Sequence, residues 1–165
     1  MAFDIDFSKK AEIKLHVKKF LLYPKHWDNP TFKVNQNLKW SSYKFTKANR
    51  SKIPLRKGIY CFVLKPKVSN FFVTNYLFYV GKTTRTLNIR YKEYLNDWEG
   101  KGKPRHRIFE MLNMYEGHLY FYYTELNSNN VISDIEDKFI DTFVPFVNTQ
   151  VPQAKIKPEY KDVYN

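Results

Sequence analysis

The hydrophobic pattern changes texture at residue 58. Before it, apolar side chains are scattered, and Pro24, Asn29-Pro30, Asn35, Asn37 and Pro54 interrupt any long element. Residues 8–21 mix apolar and basic positions in a way that fits a short helix better than an edge strand, and one short strand fits near 39–45. After residue 58 the pattern becomes regular. GIYCFVLK (58–65) is an almost unbroken apolar run rich in β-branched and aromatic residues, as expected of a central strand. YLFYVG (76–81) predicts a second strand, antiparallel to the first across a long connection. Leu87, Tyr91, Leu95 and Leu87, Tyr94, Trp98 recur at helical spacing and predict a helix over 84–98. A second helix follows over 106–116, a third strand over 118–126 (HLYFYYTEL), and a last helix over 131–143.

The predicted order is strand, strand, helix, helix, strand, helix. It specifies an α+β class, with a small three-stranded antiparallel sheet flanked by helices and a basic N-terminal extension. The chain of 165 residues suffices for one packed domain, divided as extension 1–57, core 58–150 and tail 151–165. No apolar run is long enough to span a bilayer, and the first residues lack the apolar core of a signal peptide. With Cys61 as its single cysteine the chain forms no internal disulfide, so a reducing, cytoplasmic (intracellular) setting is expected.

Charge sharpens this division. The net charge is +12, and residues 1–57 carry 14 Lys or Arg against Asp4, Asp6, Glu12 and Asp28, whereas 58–148 is almost balanced. A basic stretch interleaved with Trp27, Trp40, Tyr43 and Phe45 reads as a phosphate-facing surface with stacking groups, or equally as a solvated, solubilising face. Lys44, Lys47 and Arg50 are its nucleic-acid-binding candidates. Lys103, Arg105, His106 and Arg107 are those of the basic loop GKGKPRHR (100–107).

Two positions carry candidate chemistry on spacing alone. Ile132, Ile135, Phe139, Ile140 and Phe143 make a buried stripe on the last helix, and Glu136 lies within it. A buried carboxylate needs a compensating cation. Alternatively, Ser133-x-x-Glu136 is a capping box that would start the helix late. Arg90 and Tyr94, four residues apart, share a helix face and could meet one phosphate together, or could be an exposed arginine over a core tyrosine. The four histidines show no metal-site spacing.

Gly58-Ile59-Tyr60 followed by Tyr79-Val80-Gly81-Lys82 resembles the paired signatures of the GIY-YIG nuclease superfamily. The order of later positions extends the resemblance over about 58–150: Arg90 about one helical stretch on, Tyr94 four residues after it, Glu136 on the last helix, and Asn148 behind Pro145. Two features depart from it. The Tyr60–Tyr79 interval is wide, implying an insertion in the hairpin loop (66–75, with Phe71 and Phe72), and no separate DNA-reading module is evident. The resemblance implies a metal-dependent endonuclease that hydrolyses phosphodiester bonds, with Glu136 holding Mg²⁺ (or Mn²⁺) largely through water. It implies Tyr60 as acceptor of the water proton, aided by positive neighbours. Arg90 would meet phosphoryl charge, Tyr79, Lys82 and Tyr94 would bond phosphate or nucleophile, and Asn148 would serve as a brace. The implied partner is DNA, double-stranded, in a restriction-like or phage setting, with no membrane role and with a homodimer compatible. An RNA or branched-DNA nuclease and a non-catalytic binder of the same fold are the alternatives.

Overall fold

The computed structural model describes residues 7–148, 157, 160 and 162–164, with side chains from residue 12 onward. Among these, four strands form one antiparallel sheet: β1 (Ser41–Lys44), β2 (Gly58–Leu64), β3 (Tyr76–Thr83) and β4 (Leu119–Glu125). Five helices accompany them: α1 (Phe7–His16), α2 (Pro24–Trp27), α3 (Leu87–Trp98), α4 (His106–Met114) and α5 (Asn129–Phe143). The spatial order is β1-β4-β2-β3, with each neighbouring pair antiparallel. The class and the succession of elements after residue 58 are as the hydrophobic pattern predicts.

The sheet differs from expectation in having a fourth strand, contributed by the N-terminal stretch. β1 pairs with β4 from Ser41 opposite Tyr123 to Lys44 opposite Tyr120, covering an edge that would otherwise expose unpaired backbone groups. The residues that follow are fastened too. Phe45 is buried against Phe62 and Tyr91. The Tyr91 hydroxyl accepts from the Thr46 amide and donates to the Thr46 carbonyl. Asn88, at the start of α3, donates to the carbonyls of Arg50 and Ile53. Residues 41–57 are therefore part of the packed unit. Their basic side chains suggest a surface, but the backbone carrying them completes a sheet.

Strand alternation sends β2 to two different cores. Tyr60 and Phe62 face one cluster with Tyr79, Leu87, Tyr91, Tyr94, Ile108, Leu112 and Phe121, under α3 and α4. Ile59 and Cys61 face the other with Val80, Ile132, Ile135 and Ile140, under α5. A register shift between Phe62 and Val63 lets both Phe78 and Tyr79 turn to the first cluster. Burial pushes the Cys61 thiol up to about 12, which marks it as an inert core residue.

Two glycines explain themselves by contact. A Cβ on Gly58 would lie 2.0 Å from the Thr124 carbonyl oxygen, so the strand can approach β4 only without one. A Cβ on Gly81 would lie 2.5 Å from the Tyr60 hydroxyl oxygen, because the Tyr60 ring crosses the residue it pairs with.

The last helix begins at Asn129, with the Ser128 side chain accepting from the Val131 amide. This start excludes the capping box at Ser133, which lies inside the helix. The stripe also ends sooner than expected, since Phe143 is exposed and Phe139 only partly buried. The helix terminates at Val144, a β-branched residue held at φ 41°, ψ 61°. That conformation is strained for valine, yet it swings the chain back along the open edge of β3, where Val147 donates its amide to the Phe78 carbonyl.

Candidate active site

The centre of the α3 face is a knot of hydroxyls around one guanidinium. Tyr60, from the middle of β2, and Tyr94, from the third turn of α3, are both fully buried, with their hydroxyls 2.9 Å apart. Arg90, one turn before Tyr94, donates from Nε to the Tyr60 hydroxyl at 2.8 Å and from Nη1 to Glu93 at 2.7 Å. Its guanidinium lies 5.2 Å from the centre of the Tyr94 ring. Tyr79 packs its ring 6.3 Å from both Tyr60 and Tyr94. The reading of Arg90 as an exposed arginine over a core tyrosine is thereby excluded: it is mostly buried and tied to the hydroxyl from β2.

α3 forms here for local reasons. Thr86 caps it by accepting from the Ile89 amide, and its buried face is Leu87, Tyr91, Tyr94 and Leu95. That periodicity places Arg90 at the rim of the face and Tyr94 inside it, so the arginine reaches in over the tyrosine while its far end meets solvent.

The electrostatics of the tyrosines run opposite to expectation. Burial pushes the Tyr60 phenol well above its ordinary pKa, and nearby Tyr79 adds to the rise. Arg90 and the hydrogen bond with Tyr94 act in the lowering direction but are outweighed. Tyr79 and Tyr94 are likewise pushed up, first by burial and then by each other's or Tyr60's proximity, against the pull of Arg90 and Arg105. The positive help anticipated for Tyr60 is present in Arg90, but dehydration is the larger effect. Glu93 differs: burial raises its pKa, yet the hydrogen bonds from Arg90 and Arg85 outweigh this and hold the carboxyl below its usual range.

The opposite face of β3 carries a second group. Lys82, next to Gly81, points toward α5, where Nζ lies 2.8 Å from a Glu136 oxygen and donates to the Ser133 hydroxyl at 3.1 Å. The Glu136 side chain is 15% exposed, so the compensating cation sought for this carboxylate is Lys82, at the rim of the fold and within reach of solvent. Among the described residues no three His, Cys, Asp or Glu side chains come together as a metal cage.

Asn148 joins the two groups. It is buried, and its amide closes a ring on Val80: the Val80 amide donates to Oδ1 at 2.8 Å, and Nδ2 donates to the Val80 carbonyl at 2.7 Å. One side chain thus imitates a neighbouring strand at the open edge of β3, between Tyr79 and Gly81. The side chain therefore holds backbone, and both of its polar atoms are engaged by Val80.

The basic candidates are spread: Lys47 meets the C-terminal end of α3, Arg50 its start, and His106 and Arg107 open α4. Lys47 lies over the Trp98 ring at 5.4 Å and pairs with Glu99, whose carboxyl it and Lys101 pull down to about 2. Lys44 lies on β1, and Arg50 is half-buried in the turn beyond it. Lys103, His106 and Arg107 are exposed. Arg105 is not a free loop cation. It bonds buried Asp97 through Nε and Nη2 and stacks over the Tyr94 ring at 4.6 Å. Sequence reasoning missed Glu93 and Asp97 as the carboxylates that position Arg90 and Arg105. The i,i+3 interval from Arg90 was the only signal for the first.

The supposed stacking surface also changes. Phe45 belongs to the core and Tyr43 stacks on Tyr123, while Trp27 and Trp40 keep exposed area. In the hairpin loop, Phe71 and Phe72 are exposed and stack on each other with centroids 4.2 Å apart.

Compared with protein-family models, curated proteins and solved structures, the chain matches none. No helix among the described residues is long and apolar enough to cross a membrane.

Proposed function

We propose that the protein is a metal-dependent endonuclease of the GIY-YIG kind, hydrolysing phosphodiester bonds in double-stranded DNA. The observation that carries the reading is the hydrogen-bonded set Tyr60, Tyr94 and Arg90. Residues of the two resembling signatures and of the following helix meet at one point, and Lys82, next to Gly81, pairs with Glu136 of α5 on the opposite face of β3. A structural core has no need to bury an arginine against a tyrosine hydroxyl and a second tyrosine ring, because the same volume filled by apolar side chains costs less desolvation.

The residues fit the implied cation. Magnesium is commonly held by one or two carboxylates together with substrate phosphate oxygens, and Glu136 offers one such carboxylate at an accessible rim. When bound there, the ion would supply charge stabilisation at the phosphate. The chain's own residues do the rest. Arg90 keeps one terminal nitrogen beyond its bonds to Tyr60 and Glu93, and this nitrogen faces charge growing on the phosphoryl oxygens. Lys82, released from Glu136, bonds a non-bridging oxygen. Tyr60 acts in its ionised form, having first lost its own proton to solvent. The phenolate orients the attacking water and takes its proton as the hydroxide oxygen bonds phosphorus and the 3′ oxygen leaves, and the raised pKa keeps that ionised fraction small. Tyr94 and Tyr79 fix the Tyr60 ring and keep bulk water from it.

A second reading has one observation in its favour. With Tyr60 fully buried and Glu136 already paired, a phosphate-binding protein of this architecture without turnover would have the same geometry. Incubation with supercoiled plasmid and Mg²⁺, against an EDTA control, separates the two. Nicked or linear product that EDTA abolishes supports the nuclease. Retention of plasmid without any product, for DNA and RNA alike, supports the binder.

A further inference from the structure

Arg105 has a place in the site that the basic loop alone would not give it. The Tyr94 ring is flanked by two guanidiniums, Arg90 at 5.2 Å and Arg105 at 4.6 Å from its centre, so their carbons are at most about 10 Å apart. Each is held by its own carboxylate. Arg90 uses Nη1 on Glu93 and Nε on Tyr60, leaving Nη2. Arg105 uses Nε and Nη2 on Asp97, leaving Nη1. Both, with Lys103, line one groove whose other walls are Glu93, Asn96 and Asp97. The two carboxylates are already engaged, Glu93 by Arg85 and Arg90 and Asp97 by Arg105, so they present little bare negative charge to the groove. Two like charges pinned side by side, one on α3 and one at the cap of α4, each with a donor to spare, form a receptor for an anion.

We propose that Arg105 and Arg90 form a two-arginine phosphate cradle across Tyr94, in which Arg90 takes the phosphate to be cut and Arg105 the neighbouring phosphate of the same strand. This rests on the nuclease reading for its substrate, but the cradle is a binding site in its own right. Neighbouring phosphates of one strand are a single nucleotide apart, a separation that does not exceed the upper limit set on the distance between the two guanidiniums. Asp97 is then a positioning residue. Buried at the end of α3, it also accepts from the Arg105 amide, fixing where the guanidinium stands. An arginine suits this place better than a lysine because its fork can bond Asp97 on one side and a phosphate on the other. The competing role is purely structural: Arg105 as the counter-ion that makes a buried Asp97 tolerable.

The test uses the full chain without DNA or divalent ion and titrates it with inorganic phosphate, following the arginine Nε–Hε signals by NMR. The expected result is that phosphate shifts the signals of both Arg90 and Arg105. Truncating Arg105 alone would strand Asp97, so the variant is the neutral pair Asp97→Asn with Arg105→Gln. It should weaken phosphate binding at least ~10-fold, about 1.4 kcal/mol, with folding checked by near-UV circular dichroism. On plasmid, Arg105→Lys should raise KM more than it lowers kcat. If phosphate moves only the Arg90 signal, or if the neutral pair binds phosphate as the wild type does, Arg105 is a counter-ion and the proposal falls. A kcat loss with unchanged KM would also overturn it, placing Arg105 behind Tyr94 rather than on substrate. Phosphate binding to both arginines in a protein that cuts no nucleic acid would uphold the cradle while refuting the nuclease reading.

Discussion

The two faces of β3 carry unlike groups a few residues apart along the strand. Toward α3, Tyr60, Tyr79 and Tyr94 pack ring against ring, exclude water, and raise one another's pKa above an already elevated level. Toward α5, Lys82 and Glu136 sit at the rim with partial exposure, as a pair that a ligand can rearrange. The first face supplies fixed shape at the cost of hard-to-ionise groups. The second supplies charge, already engaged in an internal pair. Between them stands Gly81, whose missing side chain lets the Tyr60 hydroxyl come within one strand's thickness of the charged face. Function of the proposed kind needs both, because a preorganised oxygen without mobile charge cannot bind a metal-phosphate, and charge without fixed oxygens cannot orient water.

The widest separation between the faces should come from Glu136→Gln. It keeps volume and removes the charge proposed to hold the cation, so Mg²⁺-dependent plasmid cleavage should fall at least ~10³-fold, the loss of several kcal/mol of charge stabilisation. Retention of DNA in a filter-binding assay should be unaffected. Because Glu136 is partnered by Lys82, the change will not stabilise the fold as removal of an unpaired buried charge would. The pair is mostly buried and Lys82 would lose its carboxylate, so unfolding free energy should fall by up to about 3 kcal/mol. Cleavage at the wild-type rate would dissolve the contrast, leaving Glu136 as a structural ion pair.

Next in size is Tyr60→Phe, which removes one oxygen from the closed face. Turnover should drop at least ~10²-fold, the lower range for a positioned acid or base, with DNA affinity retained. Since the folded pKa is raised, any phenolate limb in the pH profile belongs above the ordinary phenol value of about 10, not in the neutral range, and it should be missing in the variant. The same shift governs stability. A group whose pKa is higher folded than unfolded stabilises the fold fully below its unfolded pKa and less as pH climbs above it. Here the unfolded chain gives up phenol protons that the core retains, so stability should decline above pH ~10 by up to about 1.4 kcal/mol per pH unit for each such tyrosine. Urea melts from pH 9 to 11 should show that slope, reduced in Tyr60→Phe. A stability independent of pH over this range would mean the tyrosines are solvated.

Much of this architecture was written in the chain's periodicity. The apolar runs at 58–65, 76–81 and 118–126 and the helical spacing of Leu87, Tyr91 and Leu95 predict elements that the structure contains within a few residues. What escaped has physical causes. The short strand expected near 39–45 is present as β1, but its place as a fourth strand of the sheet escaped, because its pairing with β4 is a non-local choice. Phe45 and Tyr43, expected as stacking groups, carry no sequence mark that separates a buried ring from an exposed one. At the site, the positions of Tyr60, Arg90, Tyr94 and Glu136 were legible through the resemblance. Their electrostatics were not, because the depth of the Tyr60 hydroxyl depends on three elements closing over it. The partners Glu93, Asp97 and Arg105 were illegible as a group, because a helix rim and a glycine-rich loop meet only in the fold.

A smaller effect tests the hinge between the faces. Asn148→Ala leaves the Val80 amide and carbonyl unpaired at the buried edge of β3, which should cost about 1–3 kcal/mol per stranded group in urea unfolding. Asn148→Asp keeps one acceptor for the Val80 amide but opposes its carboxylate to the Val80 carbonyl, so it should not rescue. Turnover of the still-folded fraction should fall modestly and with unchanged pH dependence, since Asn148 touches the backbone of β3 and no ionisable group. An Asn148→Ala protein as stable as wild type would show that the edge is held by Val147 alone.

The smallest effect lies outside both faces, on the strand that the basic segment adds to the sheet. Lys44 and Lys47 stand on and just after β1, beside Trp98 at the end of α3, from which the chain runs on to Lys103 and Arg105. If DNA passes over the α3 face toward the arginines, it crosses these lysines. Replacing both with alanine should then reduce the slope of log binding constant against log salt by roughly 0.9 for each phosphate no longer neutralised, with affinity at moderate salt falling only a few-fold. The pair is informative because it spares the fold. Phe45 between them carries the packing, and the Lys47–Glu99 ion pair is too exposed on the lysine side to matter for stability. Deleting residues 1–57 cannot substitute for it, since that would also remove β1, Phe45 and the Thr46 clamp on Tyr91. A salt slope unchanged in the double variant, alongside a normal thermal midpoint, would assign the N-terminal charge to solubility and confine phosphate recognition to the Arg90–Arg105 side of α3.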